Sequence, residues 1–267
     1  MDSRPVLIGV PYDASSSFRR GAAAAPPRIR EALHSASGNP WSERLLFVEA
    51  PKAYEDRGDL PLPDPAMAFD RIEEAFTALG AQDRPFVALG GDHSITYPIL
   101  RAIAPRSPGL TILQIDAHPD LYDEFEGDRR SHACPFARIM EERLAARLVQ
   151  VGVRATTPHQ QEQARRFGVE QIDMLAWADE AYPAIVGDVY VSIDLDGIDP
   201  SFAPGVSHRE PGGLTVRDVL KILESVDSRL VGADVVELNP SRDVSELTAG
   251  VAAKLTRELL AKWQRRR

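Results

Sequence analysis

The stretch at positions 110–120 reads Leu-Thr-Ile-Leu-Gln-Ile-Asp-Ala-His-Pro-Asp, an apolar run that passes directly into acidic and histidine side chains. The run Leu110–Ile115 lacks a strict alternation of apolar and polar residues, which is typical of a strand buried on both faces of a parallel sheet. Asp116, His118 and Asp120 then occupy every second position, so an extended backbone would direct them to one face. The stretch predicts a buried parallel strand with polar ligands at its carboxyl end.

Similar apolar runs recur between longer amphipathic stretches. Further strands are expected at Val6–Val10, Leu45–Val48, Phe86–Leu89, Leu148–Val153, Val189–Ile193 and Leu230–Glu237, with an eighth near Val169–Ile172. Helices are expected at Pro27–Ser35, Pro65–Leu79, Thr96–Ile103, Phe136–Ala146, Pro158–Phe167, Val216–Ser225 and Ser245–Lys262. The alternation predicts an α/β fold, a three-layer α/β/α sandwich with a mostly parallel sheet of about eight strands. The segment Pro51–Pro65 is expected to be a long loop, and residues 1–267 to form one domain.

The composition excludes several classes of protein. Of the 267 residues, 43% are hydrophobic and 27% are charged, as in ordinary globular proteins. The net charge of -9 argues against nucleic-acid binding, which needs a basic face, and favours cationic small molecules. No stretch approaches the roughly 20 apolar residues that span a bilayer, so no membrane partner is expected. Cys134 is the only cysteine, which excludes a disulfide within the chain, and a cytoplasmic location is expected.

Three polar motifs follow predicted strands. They are Gly90–Ser94 (Gly-Gly-Asp-His-Ser), Asp116–Asp120 and Asp194–Pro200 (Asp-Leu-Asp-Gly-Ile-Asp-Pro). The first and third, taken alone, are more typical of a helix cap and a turn. In open α/β sheets, however, the ligand crevice lies beyond the carboxyl ends of the strands, where the three loops would converge. Buried carboxylates repel one another and need a cation, and a mixture of carboxylates and imidazoles suits manganese, with zinc, iron or cobalt also compatible.

These residues resemble the ureohydrolases, the family of arginases, agmatinases and formiminoglutamases, and within it most resemble bacterial and archaeal agmatinases. The resemblance extends over nearly the whole chain. Besides the three motifs, it includes Gly9–Asp13, Gly21–Arg30, Asp56–Asp59, Ser131–Phe136, Pro211–Thr215 and Glu237–Pro240. It implies an arginase-like fold and a homo-oligomer, either a trimer or a hexamer.

The resemblance also implies two Mn²⁺ ions per chain, bridged by a hydroxide that attacks the guanidinium carbon. One ion would be held by His93, Asp116, Asp120 and Asp194, and the other by Asp116, His118, Asp194 and Asp196. Asp116 and Asp194 would therefore bridge, and Asp120 would hydrogen-bond the hydroxide. His132 would relay a proton to the departing amine, and Glu237 would hold the guanidinium group.

The identity of the substrate depends on positions outside the metal motifs. Tyr122 and Ala155–Thr157 stand where arginases have polar groups that bind the amino-acid head, which favours agmatine, hydrolysed to putrescine and urea. His208 and Arg209 replace part of the usual agmatinase loop and are candidate substrate-binding residues. Because Arg209 would favour an anionic substrate, a guanidino acid, formiminoglutamate and arginine remain alternatives.

Other classes of protein agree less well with these motifs. Metal-dependent deacetylases share the general fold but normally use one zinc ion and a paired-histidine motif, which is absent from this sequence. A phosphoryl-transfer enzyme would need a glycine-rich anion cradle, and none is present. A non-catalytic metal-binding regulatory protein is the alternative outside the enzymes.

Overall fold

A computed structural model describes residues 4–178 and 182–264. Its strands are β1 (Val6–Val10), β2 (Glu55–Asp59), β3 (Phe86–Gly90), β4 (Thr111–Ile115), β5 (Arg147–Val151), β6 (Glu170–Ile172), β7 (Asp188–Asp194) and β8 (Arg229–Val236). They form one eight-stranded sheet in the order β2-β1-β3-β8-β7-β4-β5-β6, and every pairing is parallel. The predicted α/β fold with about eight parallel strands is therefore confirmed.

Helices cover both faces of this sheet. They are α1 (Ala25–Leu33), α2 (Ala68–Gly80), α3 (Thr96–Ile103), α4 (Pro135–Glu141), α5 (Pro158–Phe167), α6 (Met174–Ala178), α7 (Val216–Ser225) and α8 (Leu247–Gln264). The apolar faces of α1, α7 and α8 join one hydrophobic cluster, and those of α2 to α5 join another. Alternate strand residues enter alternate clusters: Leu7 packs in the first, whereas Val6 and Ile8 pack in the second. The sheet is thus buried on both faces, as its continuous apolar runs predict.

The predicted strand at Leu45–Val48 is wrong. Phe47 makes only an isolated antiparallel bridge to Trp41, and Leu45 is 77% exposed. The observed strand β2 lies instead within Pro51–Pro65, the segment expected to be a loop. Its residues are polar because β2 is an edge strand whose side chains are half-buried or exposed, so it carries no apolar signal.

Several helix boundaries differ from the predicted ones, and backbone conformation explains two of these differences. Helix α4 ends at Glu141, before the predicted Ala146, because Arg143 adopts a left-handed φ of 55°. Helix α8 begins only at Leu247, since Ser245 and Glu246 have φ values of 52° and 58°. The short helix α6 was not predicted. No helix in the described ranges has both the length and the apolar character needed to cross a bilayer.

Candidate active site

The four central strands deliver the predicted ligands to one edge of the sheet. Strands β3, β8, β7 and β4 are neighbours, and their carboxyl ends lie side by side because the strands are parallel. The loop after β3 carries His93, the loop after β4 carries the Asp116–Asp120 motif, and β7 ends in Asp194. Glu237 follows β8 directly. The convergence expected from the three sequence motifs therefore occurs in the structure.

The glycines of the first motif allow this convergence. A Cβ atom at Gly91 would lie 1.8 Å from the Tyr12 carbonyl oxygen, so only glycine permits the β3 loop to approach the end of β1 this closely. The backbone N–H of Asp92 then donates a hydrogen bond of 2.8 Å to the same oxygen. His93 is thereby fixed at the centre of the edge, where its side chain is fully buried.

His93 forms the centre of a first ligand cluster. Its Nδ1 atom lies 3.1 Å from one carboxylate oxygen each of Asp116, Asp120 and Asp194. The ligand atoms of His93, Asp116 and Asp194 lie within 4.8 Å of one another. This is the set predicted for the first ion, with Asp120 beside it.

A second cluster shares Asp116 with the first. Asp116 directs Oδ2 towards His93 and Oδ1 towards His118, whose Nδ1 also lies 3.1 Å from Asp196 Oδ2. Asp116, His118 and Asp196 again offer ligand atoms within 4.8 Å of one another. The other oxygen of Asp194 accepts a hydrogen bond of 2.8 Å from the Asp196 backbone N–H, so bridging by Asp194 stays a prediction.

The hydrogen bonds behind His93 prepare its Nδ1 atom to bind a cation. The Ser192 hydroxyl donates to Asp234 Oδ1 at 2.6 Å, so it can only accept from His93 Nε2, 2.9 Å away. The neutral ring therefore carries its proton on Nε2 and presents a lone pair on Nδ1. Nδ1 is buried and makes no hydrogen bond within the described residues. An imidazole lone pair facing three carboxylates fits a divalent metal ion of the manganese type.

The electrostatics of the carboxylates lead to the same conclusion. Burial, with the charges of Asp196 and Asp116, raises the pKa of Asp194 well above its ordinary value. Burial and the charge of Asp116 raise the pKa of Asp120 to about 6. A cation at the site would keep these groups ionised at neutral pH, because it replaces the lost hydration.

Binding of Mn²⁺ to the metal-free protein is expected to release protons at pH 7. Burial acts to lower the pKa of His118, but the carboxylates of Asp196 and Asp116 outweigh it and raise that pKa to about 12. The protonated ring must lose its proton before Nδ1 can bind an ion. Affinity should therefore fall with falling pH, and more steeply below pH 6, where Asp120 also takes up a proton. Titration calorimetry in buffers of different ionisation enthalpy measures the release, and equal heats in all buffers would contradict it.

His132 lies beside the metal ligands in a chain of three side chains. Its Nδ1 atom is 2.8 Å from Glu237 Oε1, and its Nε2 atom is 2.9 Å from the Ser17 hydroxyl. Burial acts to lower the pKa of His132, but the charge and hydrogen bond of Glu237, with Asp92, raise it to about 9. The ring is therefore a candidate proton donor at neutral pH.

Asp92 fixes the segment that carries Ser17. One carboxylate oxygen accepts hydrogen bonds from the Ser15 backbone N–H at 3.1 Å and the Ser16 hydroxyl at 3.2 Å. The other oxygen accepts from Ser94, two residues further along the β3 loop. The Ser15 carbonyl in turn accepts from the His132 N–H at 3.1 Å. This network joins the end of β1 to the proposed proton donor.

Two site residues have left-handed backbone conformations that non-glycine residues rarely adopt. Asp120 has a φ of 51° and Glu237 a φ of 66°. Strain of this kind persists only where the surroundings enforce it, and it clusters at functional sites. Here it allows each carboxylate to turn back towards the metal ligands from a loop that has just left its strand.

A cavity of about 290 Å³ opens above these residues. Its floor includes Asp120, Asp194, Asp196, His118, His132 and Glu237, and its wall includes Ser17, Tyr122, Phe125, Ala155, Thr156, Thr157, Gln160 and His208. This volume lies at the lower end of the range of about 300–1,000 Å³ typical of small-molecule pockets. The cavity therefore fits a small substrate that reaches the ligand clusters at one end.

Of the two loop residues predicted to contact substrate, only His208 reaches the cavity. Its ring lies 5.3 Å from that of His132 and 5.8 Å from that of His118, measured between centroids. Burial and the charge of His132 lower the pKa of His208, which favours the neutral ring. The Arg209 guanidinium donates instead to the Pro204 carbonyl at 2.7 Å and the Arg242 carbonyl at 3.1 Å, away from the cavity lining. This geometry corrects the expectation that Arg209 recruits an anionic substrate.

Sequence analysis missed several supporting residues. Ser192 and Asp234 interrupt the apolar runs of β7 and β8, and a polar residue inside a fully buried strand is a signal that could have identified them. Ser17 belongs to an exposed loop, where serine is common, so no feature of the surrounding residues indicates its contact with His132.

A parallel sheet with carboxylate–histidine clusters at its carboxyl edge is the arrangement of a metal-dependent hydrolase. The chain belongs to the arginase family, whose family model matches residues 3–261. The predicted ureohydrolase membership is confirmed.

Individual relatives include both arginases and agmatinases. The chain is 48% identical to "Arginase 1, mitochondrial" of Arabidopsis thaliana, over 96% of this chain and 80% of that protein. It is 35% identical to the agmatinase of Bacillus cereus, over 98% of this chain and 92% of that protein. The solved structure of the arginase from Medicago truncatula superposes with a TM-score of 0.90 at 44% identity, covering 98% of this chain and 87% of that one. The plant arginases are thus more similar to this chain than the agmatinase is.

Proposed function

We propose that this protein hydrolyses the guanidinium group of a small aliphatic guanidine, with two Mn²⁺ ions bound by His93, Asp116, His118, Asp120, Asp194 and Asp196. The observation that carries the proposal is the carboxylate of Asp116, which is shared between two ligand clusters whose other members, Asp194, Asp196 and His118, line a cavity together with His132 and Glu237. Bound there, the ions would supply a Lewis acid and lower the pKa of water towards neutrality.

The side chains of this protein would orient the substrate and move protons. Glu237 Oε1 accepts from the His93 N–H and faces His132 Nδ1, whereas its Oε2 makes no hydrogen bond within the described residues and is available to a guanidinium N–H. His132 is protonated at neutral pH, since its pKa is about 9, and donates a proton to the departing amine. Asp120 lines the cavity and can accept the proton of the attacking water.

Arginine is the first candidate substrate. Its support is the greater identity to the Arabidopsis arginase, 48% against 35% for the Bacillus cereus agmatinase. Ser17, Tyr122, Thr156 and Thr157 supply hydroxyl groups to the cavity wall, where they can accept and donate hydrogen bonds to an amino-acid head.

Agmatine, the expectation from the sequence, is the second candidate. No lysine or arginine lines the described cavity, so a substrate carboxylate would lack a cationic partner there. Tyr122 and Phe125 add aromatic surface, which suits an aliphatic chain ending in an ammonium group.

A comparison of kcat/KM for arginine, agmatine, guanidinobutyrate and formiminoglutamate with Mn²⁺ present tests both candidates. We expect arginine to exceed the others by tenfold or more, equivalent to about 1.4 kcal/mol in transition-state binding. A preference of the same size for agmatine would make agmatine the substrate. Turnover of none of the four compounds by protein that retains bound Mn²⁺ would contradict the proposal and favour a non-catalytic metal-binding role.

We also propose that the protein forms a homo-oligomer, either a trimer or a hexamer, as the family resemblance implies. Light scattering coupled to size-exclusion chromatography measures the mass of the assembly against the 29.3 kDa chain. A monomer at every protein concentration would refute this part of the proposal.

A further inference from the structure

Three glutamine side chains lie side by side across strands β4, β5 and β6. Gln114 pairs with Gln150, and Gln150 pairs with Gln171, in the register of the sheet. Gln171 Nε2 donates to Gln150 Oε1 at 2.7 Å, and Gln150 Nε2 donates to Gln114 Oε1 at 2.7 Å. Gln114 Nε2 donates in turn to Asp116 Oδ2, also at 2.7 Å. We call Gln114, Gln150 and Gln171 the glutamine ladder.

The ladder also holds the loop that carries the shared ligand. Gln114 Nε2 lies 3.2 Å from the His118 carbonyl oxygen, and Gln150 Nε2 lies 2.7 Å from the Pro119 carbonyl oxygen. A carboxylate and two carbonyl oxygens can only accept hydrogen bonds, so both amides must direct Nε2 towards the loop. Each Oε1 is then free to accept from the next amide, and the direction of the whole chain is fixed by its end at Asp116.

Packing alone does not account for these residues. Gln114 and Gln150 are fully buried within strands that otherwise read Thr-Ile-Leu-x-Ile and Arg-Leu-Val-x-Val. Burying an amide is costly unless its donors and acceptor are paired, whereas leucine or isoleucine would fill the same space without that cost. Aligned amides polarise one another, which strengthens the final bond to the carboxylate.

The ladder acts on the oxygen of Asp116 that faces the first cluster. Asp116 Oδ2 accepts from Gln114 and lies 3.1 Å from His93 Nδ1, whereas Asp116 Oδ1 accepts from the His118 backbone N–H at 2.7 Å. One donor on each oxygen fixes the plane of the carboxylate. Of these two donors, the His118 N–H belongs to the backbone, whereas Gln114 Nε2 belongs to a side chain of the ladder.

We infer that the glutamine ladder is a positioning element for the metal centre, in which Gln150 and Gln171 set the orientation of Asp116 from one and two strands away, without touching a metal ligand side chain. The inference rests on the proposed metal-dependent function. It assigns a role to Gln171 in β6, a residue that lies outside all three metal motifs.

The test measures the affinity of the purified full-length protein for Mn²⁺, from the electron paramagnetic resonance signal of the free ion. Gln150→Met keeps a similar side-chain length but removes the donor to Gln114 and Pro119. We expect its Mn²⁺ affinity to fall by about 10- to 100-fold, the usual effect of losing a group that orients a metal ligand. Thr111→Val is the control, because Thr111 lies in the neighbouring strand β4 at the end opposite the ligand clusters, where its hydroxyl faces the Val186 carbonyl. Its affinity should equal that of the wild type.

A second pair of variants changes only the outer end of the ladder, where misfolding is a smaller risk because Gln171 is half-buried. Gln171→Met removes the donor to Gln150 and should weaken Mn²⁺ binding less than Gln150→Met does. Gln171→Lys restores an N–H donor to Gln150 Oε1 and should recover the affinity. The inference would be overturned if Gln150→Met and Gln171→Met both bound Mn²⁺ as tightly as the wild type. It would also be overturned if the wild type bound no Mn²⁺. Normal Mn²⁺ binding without hydrolysis of any guanidine would instead contradict only the proposed function.

Discussion

Asp194→Ala is expected to abolish hydrolysis and to reduce the bound Mn²⁺ to at most one ion per chain. Asp194 Oδ2 lies 3.1 Å from His93 Nδ1, and the carboxylate is buried among Asp116 and Asp196. Removing one preorganised hydrogen-bond donor typically lowers kcat by about 10²- to 10³-fold. Loss of Asp194 should lower kcat by more than this, because a metal ion is lost with the ligand. Metal analysis and kcat/KM measured on the same preparation give both quantities.

The stability of the metal-free variant separates this effect from misfolding. The raised pKa of Asp194 shows that its ionised form is unfavourable in the metal-free fold, owing to burial and to the charges of Asp196 and Asp116. Metal-free Asp194→Ala should therefore have a Tm at least as high as the metal-free wild type, but it should lose the rise in Tm on adding Mn²⁺.

A control at the opposite end of the same strand makes this test specific. Asp188 opens β7 and pairs with Arg229 at 2.9 Å, far from the ligand clusters. Asp188→Ala should keep both the metal and the activity. Full activity in Asp194→Ala, or loss of metal in Asp188→Ala, would contradict the assignment. Asp116→Ala should be as damaging as Asp194→Ala, since Asp116 faces both clusters.

His132→Ala is expected to lower kcat by about 10²- to 10⁴-fold, the range of general acid–base catalysis, while both ions remain bound. The ring contacts Glu237 and Ser17 but belongs to neither ligand cluster. Its pKa of about 9 is raised above the ordinary value, so the donor form persists at neutral pH and is lost as the pH rises through about 9. The wild-type kcat should fall on this alkaline limb, and the variant should lack it.

His159→Ala provides the matched control for the loss of an imidazole. The His159 ring stacks on Tyr122 at the rim of the cavity, and its side chain is 46% exposed. We expect kcat to stay within a few-fold of the wild type, because an exposed stacked ring supplies no proton to the substrate. A His132→Ala variant with an unchanged rate, or one that has lost its metal, would remove His132 from the proton relay.

The sequence predicts the central strands of this fold better than the edge strand β2. Strands β3, β4, β7 and β8 are buried on both faces, so continuous apolar runs identify them. Strand β2 has a neighbour on one side only and reads Glu-Asp-Arg-Gly-Asp, a composition that solvent permits at an edge and that propensity rules assign to a loop. The strand predicted at Leu45–Val48 is wrong because it is inferred from apolar residues, yet the side chain of Leu45 is 77% exposed.

The predicted metal ligands come together because their positions follow from strand ends, which periodicity locates. The direction in which a loop side chain points cannot be predicted from periodicity in the same way. Arg209 and His208 are adjacent in the chain, yet the Arg209 side chain donates to backbone carbonyls whereas the His208 ring faces the cavity. The direction of each side chain depends on neighbours from distant segments. The glutamine ladder was missed for the same reason, since Gln171 meets Gln150 only after β5 and β6 have paired.

The strand order has a consequence for folding of the chain during its synthesis. Strands β7 and β8 begin at Asp188 and Arg229, yet they occupy the middle of the sheet between β3 and β4. A ribosome delivers the chain from its first residue, so the sheet is completed from the outside inwards, with a gap at its centre until the last third emerges. Long-range pairing of this kind is slow. A nascent chain that has just completed β6 lacks Asp194, Asp196 and Glu237, so three of the residues proposed to hold the metal ions and the substrate are still missing from it.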